Sequence, residues 1–144
     1  MDYKRTENTL LLRLDKGEEV TESVLSVAKK EGITFAEISG IGATDDFTAS
    51  VFDREKGDYE KNRFTGDHEI LSLTGTVTEK DGAPYLHLHI VCAGSGGRAV
   101  GGHLLSARIS LTAEIVLQIA RIGAQRKKDE NLGINRIFFD ETGV

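Results

Sequence analysis

Length, composition and charge already exclude several classes of protein. At 144 residues, with 39% hydrophobic and 28% charged residues, the chain is expected to form a single globular domain over residues 1–144. No apolar run approaches the ~20 residues of a membrane-spanning helix. The net charge of −5 argues against general nucleic-acid binding, because Lys and Arg supply the contacts to phosphates. With one cysteine, Cys92, and no signal-peptide pattern at the N-terminus, we expect a cytoplasmic protein without disulfides.

The predicted elements begin with a short apolar strand at residues 9–14, which is followed by the clearest helix of the sequence. In that helix the apolar positions Val20, Val24, Val27 and Ala28 have helical spacing. Acidic residues occupy its first turn, two lysines occupy its last turn, and Gly32 stands where a C-terminal cap belongs.

The rest of the chain favours β-strands. An Asp81-Gly82 pair between two β-rich runs predicts a hairpin. A tight turn is predicted at Gly40-Ile41-Gly42 and another at residues 56–58. The predicted strands are residues 35–41, 47–53, 59–65, 69–78, 85–92, 111–120 and 135–140. The fold class that follows is α+β, with mainly antiparallel strands and one clear N-terminal helix.

The strand at residues 85–92 (YLHLHIVC) carries the main chemical signal. Side chains alternate along a strand, so Leu88 and Cys92 face the core while His87 and His89 share the opposite face, with Cα atoms about 6.6 Å apart. His103 follows the glycine-rich segment AGSGGRAVGG, which can return the chain to the same place. Three neutral imidazoles suit a transition metal, and three protein ligands leave one coordination position open. The alternative is a pair of half-exposed, hydrogen-bonded histidines without a metal.

The segments PYLHLHIVCAG, GGHLLSARISLTAEIVL, ISGIGA and GDHEILSLTGTV closely resemble the plants-and-prokaryotes-conserved (PPC) domain, the domain that plant AT-hook nuclear proteins also carry. The resemblance extends from about Thr9 to Asp140. It implies a homotrimer in which His87, His89 and His103 hold one transition-metal ion per chain, most often zinc. A small molecule or carboxylate is then expected at the open position.

The resemblance also implies two alternative functions. Prokaryotic relatives are commonly labelled DNA-binding regulators, but this chain has no AT-hook, that is, no Arg-Gly-Arg-Pro core. The PPC fold also resembles that of acetolactate decarboxylase, so a zinc-dependent lyase acting on a small carbonyl compound is the enzymatic alternative. Its acid or base would come from one of four residues, between which the sequence does not choose: Glu69, Glu114, Arg98 and Arg108.

Two further segments were weighed for partner binding. In the plant proteins a six-residue stretch contacts transcription factors, and its matching residues here are Gly66, Glu69, Ile70 and Leu71. We favour a structural role for them, with Ile70 and Leu71 opening a core strand. The basic residues Arg121, Arg126, Lys127 and Lys128 are interpreted as a solvated loop or tail rather than a DNA contact.

Overall fold

The structure is a computed structural model that describes residues 1–139. One α-helix and eight strands make up this part of the chain, with a short 3₁₀ turn at Ser95–Gly97. No helix in residues 1–139 has the length and apolar character that crossing a membrane requires. In chain order the elements are β1 (Asp2–Arg5), β2 (Thr9–Asp15), α1 (Val20–Lys30), β3 (Ala36–Asp53), β4 (Asp58–Lys80), β5 (Ala83–Ala93), β6 (Ala99–Ile119), β7 (Ala124–Asp129) and β8 (Ile134–Phe139).

The strands form one sheet, in the order β1-β2-β6-β3-β4-β7-β8, and β5 pairs with both β4 and β6. Strands β3, β4, β5 and β6 therefore form a closed circuit. All pairings are antiparallel except a single parallel bridge between Glu79 of β4 and Gln125 of β7. The expected fold class, mainly antiparallel strands with one helix, is confirmed for the described residues.

Helix α1 packs against β5 and β6 and buries the four predicted apolar positions. The Glu19 carboxylate caps its N-terminus by accepting a hydrogen bond from the Glu22 amide at 2.7 Å. The same carboxylate accepts from the Ala107 amide of β6 at 2.8 Å, which ties the helix to the sheet. The helix thus covers the apolar face of β5, from which Leu88, Ile90 and Cys92 enter the core.

The predicted turn at Gly40-Ile41-Gly42 is wrong, because these residues lie inside the 18-residue strand β3. The register with β4 shifts between Gly40 and Gly42, so the glycines mark a bulge rather than a chain reversal. A Cβ on Gly42 would lie 2.7 Å from the Cα of Ala113 in β6, so glycine is required there for close strand approach. Predicted strands 35–41 and 47–53 are consequently one strand, and residues 59–65 and 69–78 both belong to β4.

The Asp81-Gly82 turn between β4 and β5 is confirmed. Both residues have positive φ, 52° and 76°, as a two-residue turn with two left-handed positions requires. Strand β1, the first half of β6 and β7 were not predicted. The predicted last strand corresponds to β8, and its final residue, Asp140, lies outside the described residues.

Candidate metal centre

The three candidate ligands lie on two adjacent antiparallel strands. His87 and His89 are two residues apart on β5, so their side chains leave the same face of the sheet. His103 of β6 is directly opposite His89 in the strand register. Gly101 and Gly102 make this pairing possible, since a Cβ on Gly101 would lie 2.0 Å from the Ile90 carbonyl oxygen. The glycine-rich segment thus returns the chain beside the two histidines, as the sequence predicts.

The imidazole rings converge to a distance suited to one ion. Their centroids are 5.2 to 5.7 Å apart, and one nitrogen from each ring lies within 4.8 Å of the other two. A tetrahedral zinc with bonds of roughly 2.0–2.1 Å needs these nitrogens to be about 3.4 Å apart, which small side-chain rotations can supply. The Nδ1 atom of His103 is buried and has no hydrogen-bond partner. Cys92 is buried in the core, on the face of β5 opposite the histidines, as predicted.

The surroundings of the site keep two of the imidazoles neutral. Burial, together with the positive charge of Arg126 and the other two histidines, lowers the pKa of His87 from 6.5 to about 4. Burial also lowers the pKa of His103, with smaller contributions from His89 and Arg126. Because only a neutral imidazole has a lone pair for a metal, this environment favours the ligating form.

Arg126 lies beside the histidines, which contradicts its assignment to a solvated loop. It is on β7, is only 7% exposed, and places Nη2 3.3 Å from His87 Nδ1. Its Nε donates to Thr78 Oγ1 at 3.2 Å and its Nη1 donates to the Asn135 carbonyl at 3.0 Å. Its guanidinium carbon is 5.5 Å from the centre of the Tyr85 ring. The strand pairing of β7 with β4 and β8 brings this buried cation to the site.

The Arg126–His87 contact decides which ring nitrogen of His87 carries the proton. A guanidinium only donates hydrogen bonds, so Nδ1 of His87 must be the acceptor and the ring proton must be on Nε2. A neutral imidazole has a single lone pair. It therefore cannot accept from Arg126 and ligate a metal at the same time.

A cavity of about 160 Å³ opens beside these groups. Its polar lining consists of Arg126, His87, His103, Asn135 and the two tyrosines Tyr59 and Tyr85, with no carboxylate among the described residues that form it. The Tyr59 ring lies 5.2 Å from the ring of His103. The Tyr85 hydroxyl accepts a hydrogen bond from the Asn135 amide at 3.2 Å. The cavity is therefore electropositive and rich in donors.

Strand alternation puts Tyr85 on the histidine face of β5, but the sequence analysis gives it no role at the site. Neither does it assign Tyr59, Arg126 or Asn135 to the site. The alternation of β5 was a local signal for Tyr85. The other three residues come from separate strands or loops, which no local pattern connects to the histidines.

The four acid–base candidates are not brought to this cavity. Glu69, Glu114, Arg98 and Arg108 are all exposed, and none of them lines it. Arg108 forms an ion pair with Asp45 at 2.9 Å. Glu114 lies on β6 opposite Arg13 of β2 and forms no ion pair within residues 1–139.

The partner-binding residues lie in the middle of β4, not at the start of a strand. Ile70 is buried, as expected, but Leu71 is 53% exposed, which contradicts its expected place in the core. Adjacent side chains of a strand face opposite sides of the sheet, so Leu71 points away from the core that Ile70 enters. The register shift between Ile70 and Ser72 then returns Leu73 to the core side. Gly66 and Glu69 are exposed.

The structure is similar to those of several prokaryotic proteins. The metal-containing protein of Archaeoglobus fulgidus is 33% identical, with a TM-score of 0.84, and the match covers 95% of this chain and 96% of that one. A plant- and prokaryote-conserved (PPC) protein of Pyrococcus horikoshii is 31% identical over 99% and 96% of the two chains, with a TM-score of 0.83. A Bacteroides thetaiotaomicron protein, provisionally called DNA-binding, is 30% identical over 96% of each chain, with a TM-score of 0.92.

No curated protein is similar enough to this chain to count as a match. The model of the Plants and Prokaryotes Conserved (PCC) domain matches residues 1–121, which include both histidine strands. Together with the three similar structures, this match covers the sheet, the helix and the site. The chain therefore belongs to the Plants and Prokaryotes Conserved domain family, the PPC domain that its sequence resembles.

Proposed function

We propose that this protein is a metal-binding module that holds one transition-metal ion per chain, with zinc as the first candidate, on His87, His89 and His103. The convergence of three imidazoles from two paired strands is the observation that carries the proposal. The donor set fits the group, since three imidazoles without a carboxylate are suited to zinc and its neighbours rather than to magnesium or calcium. The similar metal-containing protein of Archaeoglobus fulgidus supports the same assignment.

The site favours binding over catalysis. General acid–base catalysis usually needs a carboxylate or a free imidazole within hydrogen-bond reach of the substrate. Here the histidines are the proposed ligands, and the cavity lining in residues 1–139 contributes tyrosines and Arg126 instead of an acid. A zinc-dependent lyase with an acetolactate-decarboxylase-like fold is the alternative. In it, the metal would polarise a carbonyl and Tyr59 or Tyr85 would handle the proton.

A homotrimer is the assembly that we propose, in the cytoplasm. Exposed apolar side chains from four strands surround Glu114 on the outer face of the sheet and line two adjoining grooves: Leu11, Ile41, Leu71 and Leu111. Apolar groups gathered on one sheet face are typical of a subunit interface. Light scattering of the purified protein tests this assembly, and a monomer at micromolar concentration would contradict it.

DNA binding is the alternative that the name of the Bacteroides thetaiotaomicron relative suggests. The net charge of −5 and the burial of Arg126 argue against it, since a buried guanidinium is withdrawn from the basic cluster.

Metal analysis of protein purified without a histidine tag tests the principal proposal. We expect about one transition-metal ion per chain. The His87→Ala/His89→Ala double variant should lose it and keep the fold, because the core face of β5 is unchanged. His68→Gln is the matched control, since His68 lies on β4, contacts Phe47, and is outside the cluster. Full metal retention by the double variant would overturn the assignment.

A further inference from the structure

We propose that the cavity beside the three histidines binds a small carboxylate through Arg126, and that this binding and metal binding strengthen each other. The inference rests on the proposed metal site and names the class of ligand that accompanies the ion.

The charge of Arg126 is unbalanced. Its side chain is 93% buried, and none of the ion pairs within residues 1–139 includes it. A buried charge without a partner of opposite sign is costly, so such groups are normally paired. Three of the five guanidinium N–H groups have acceptors: Thr78, Asn135 and His87. Two N–H groups and the full positive charge remain for an anion.

Metal binding increases this imbalance. Because His87 cannot accept from Arg126 and ligate a metal together, metal binding through a neutral His87 breaks the 3.3 Å contact with Nη2. Arg126 then has a third free N–H group and a divalent cation beside it. An anion in the cavity satisfies the freed donor and offsets the repulsion between the two cations. Coupling between two binding events is reciprocal, so the anion must also tighten metal binding.

The size and the lining of the cavity identify the anion. At about 160 Å³ the cavity is small, so the ligand has few non-hydrogen atoms. The Tyr85 hydroxyl accepts from Asn135 and donates to no described residue, so its proton is available beside the guanidinium. The tyrosine rings and Ile134 supply an apolar wall. A carboxylate with a short carbon tail matches both the donors and the wall, whereas inorganic phosphate has no apolar part to bury.

The test is a zinc titration of the metal-free protein by calorimetry, with a competing chelator, in a buffer that contains no carboxylate. It is repeated with millimolar propionate, with its neutral counterpart propionamide, and with inorganic phosphate. We expect propionate to raise the zinc affinity of the natural protein roughly 10- to 100-fold, the range of one or two hydrogen bonds to a charged group. Propionamide should leave the affinity unchanged, and phosphate, an anion without an apolar part, should raise it less than propionate does.

Arg126→Met removes the guanidinium and keeps most of the side-chain volume, and Lys127→Met is the matched control at an exposed neighbour. Arg126→Met should bind zinc alone at least as tightly as the natural protein, because a repelling cation is gone, and should gain nothing from propionate. A residue with only a structural role would instead weaken zinc binding in both conditions. Should Arg126→Met fail to fold, Tyr85→Phe, which deletes one donor, should still reduce the propionate effect several-fold.

The outcomes separate the two proposals. Absence of zinc uptake overturns both the proposed function and this inference. Three results would overturn the carboxylate site alone and leave the metal site standing. The first is zinc uptake that propionate does not strengthen. The second is an equal gain in zinc affinity in Arg126→Met or with propionamide, and the third is a larger gain with phosphate than with propionate.

Discussion

Gly75 of β4 offers a sharp test of how strand packing positions the proposed metal ligands, through the substitution Gly75→Ala. Gly75 is opposite Leu88 in the register and has a φ of 153°, a conformation that residues with a Cβ rarely adopt. A Cβ at this position would lie 1.9 Å from the backbone oxygen of His87 and 2.9 Å from the Cα of Leu88. Because both atoms are backbone, β5 itself must move.

The distances around Gly75 set the expected losses of zinc affinity and of stability in Gly75→Ala. Cβ atoms essentially never approach other heavy atoms within 3.0 Å, so β5 must move by about 1 Å at His87. Metal ligands tolerate displacements of only about 0.5 Å, and we therefore expect zinc affinity to fall at least about 10-fold. Overpacking costs about 1–3 kcal/mol and the unfavourable backbone conformation adds about 1 kcal/mol. We expect the free energy of unfolding to fall by about 3 kcal/mol.

Chemical denaturation and zinc calorimetry measure the two effects. Gly66→Ala is the matched control, because Gly66 lies on the same strand with a φ of 93° but has nothing within 4 Å of an added Cβ. It isolates the conformational cost, about 1 kcal/mol, with zinc affinity unchanged. The reasoning is refuted when Gly75→Ala is as stable as Gly66→Ala and binds zinc as tightly as the natural protein.

Three further predictions concern the histidines, the thiol and DNA. The pKa of His87 is lowered to about 4 in the folded chain and is near 6.5 when unfolded, so the unfolded state binds more protons between these values. The metal-free protein should therefore lose up to about 3 kcal/mol of stability as pH falls from 6.5 to 4, and denaturation of His87→Gln across this window should show a smaller loss. Burial of Cys92 raises its thiol pKa to about 12. A thiol reagent at neutral pH should therefore label the native protein slowly and the unfolded protein fast, and equal labelling rates would contradict the buried position. In fluorescence anisotropy at physiological salt we expect a dissociation constant for DNA no lower than ~10⁻⁴ M. Sub-micromolar binding that Lys127→Glu/Lys128→Glu abolishes would show that the basic cluster is a DNA contact.

Local patterns were sufficient wherever a structural feature depends on neighbouring residues. The helix Val20–Lys30 follows from apolar residues at helical spacing between acidic and basic ends. The Asp81-Gly82 turn follows from residues that tolerate positive φ. The common face of His87 and His89 follows from the alternation of side chains along a strand, so two of the three candidate ligands were placed together by sequence alone.

Local patterns failed at the long strands, for a physical reason. In β3, the sequence Gly40-Ile41-Gly42 has the residues of a turn, and the chain stays extended there only because β4 and β6 pair on either side. The bulge near Leu71 likewise exists only within the pairing of β4 with β5, so the length of β4 and the burial of both Ile70 and Leu73 could not be read from alternation.

The sequence by itself determined the residue types of the candidate ligands, their order along the chain and the strand that carries two of them. Only the tertiary structure decided what surrounds them. Arg126 is 39 residues from His87 in the chain, within a run of basic residues that is typical of a solvated surface. Its burial depends on the pairing of β7 with β4 and β8, and on acceptors from Thr78 and Asn135. Such long-range contacts leave no periodic signal in the sequence, because their energy comes from groups that meet only after the chain has folded.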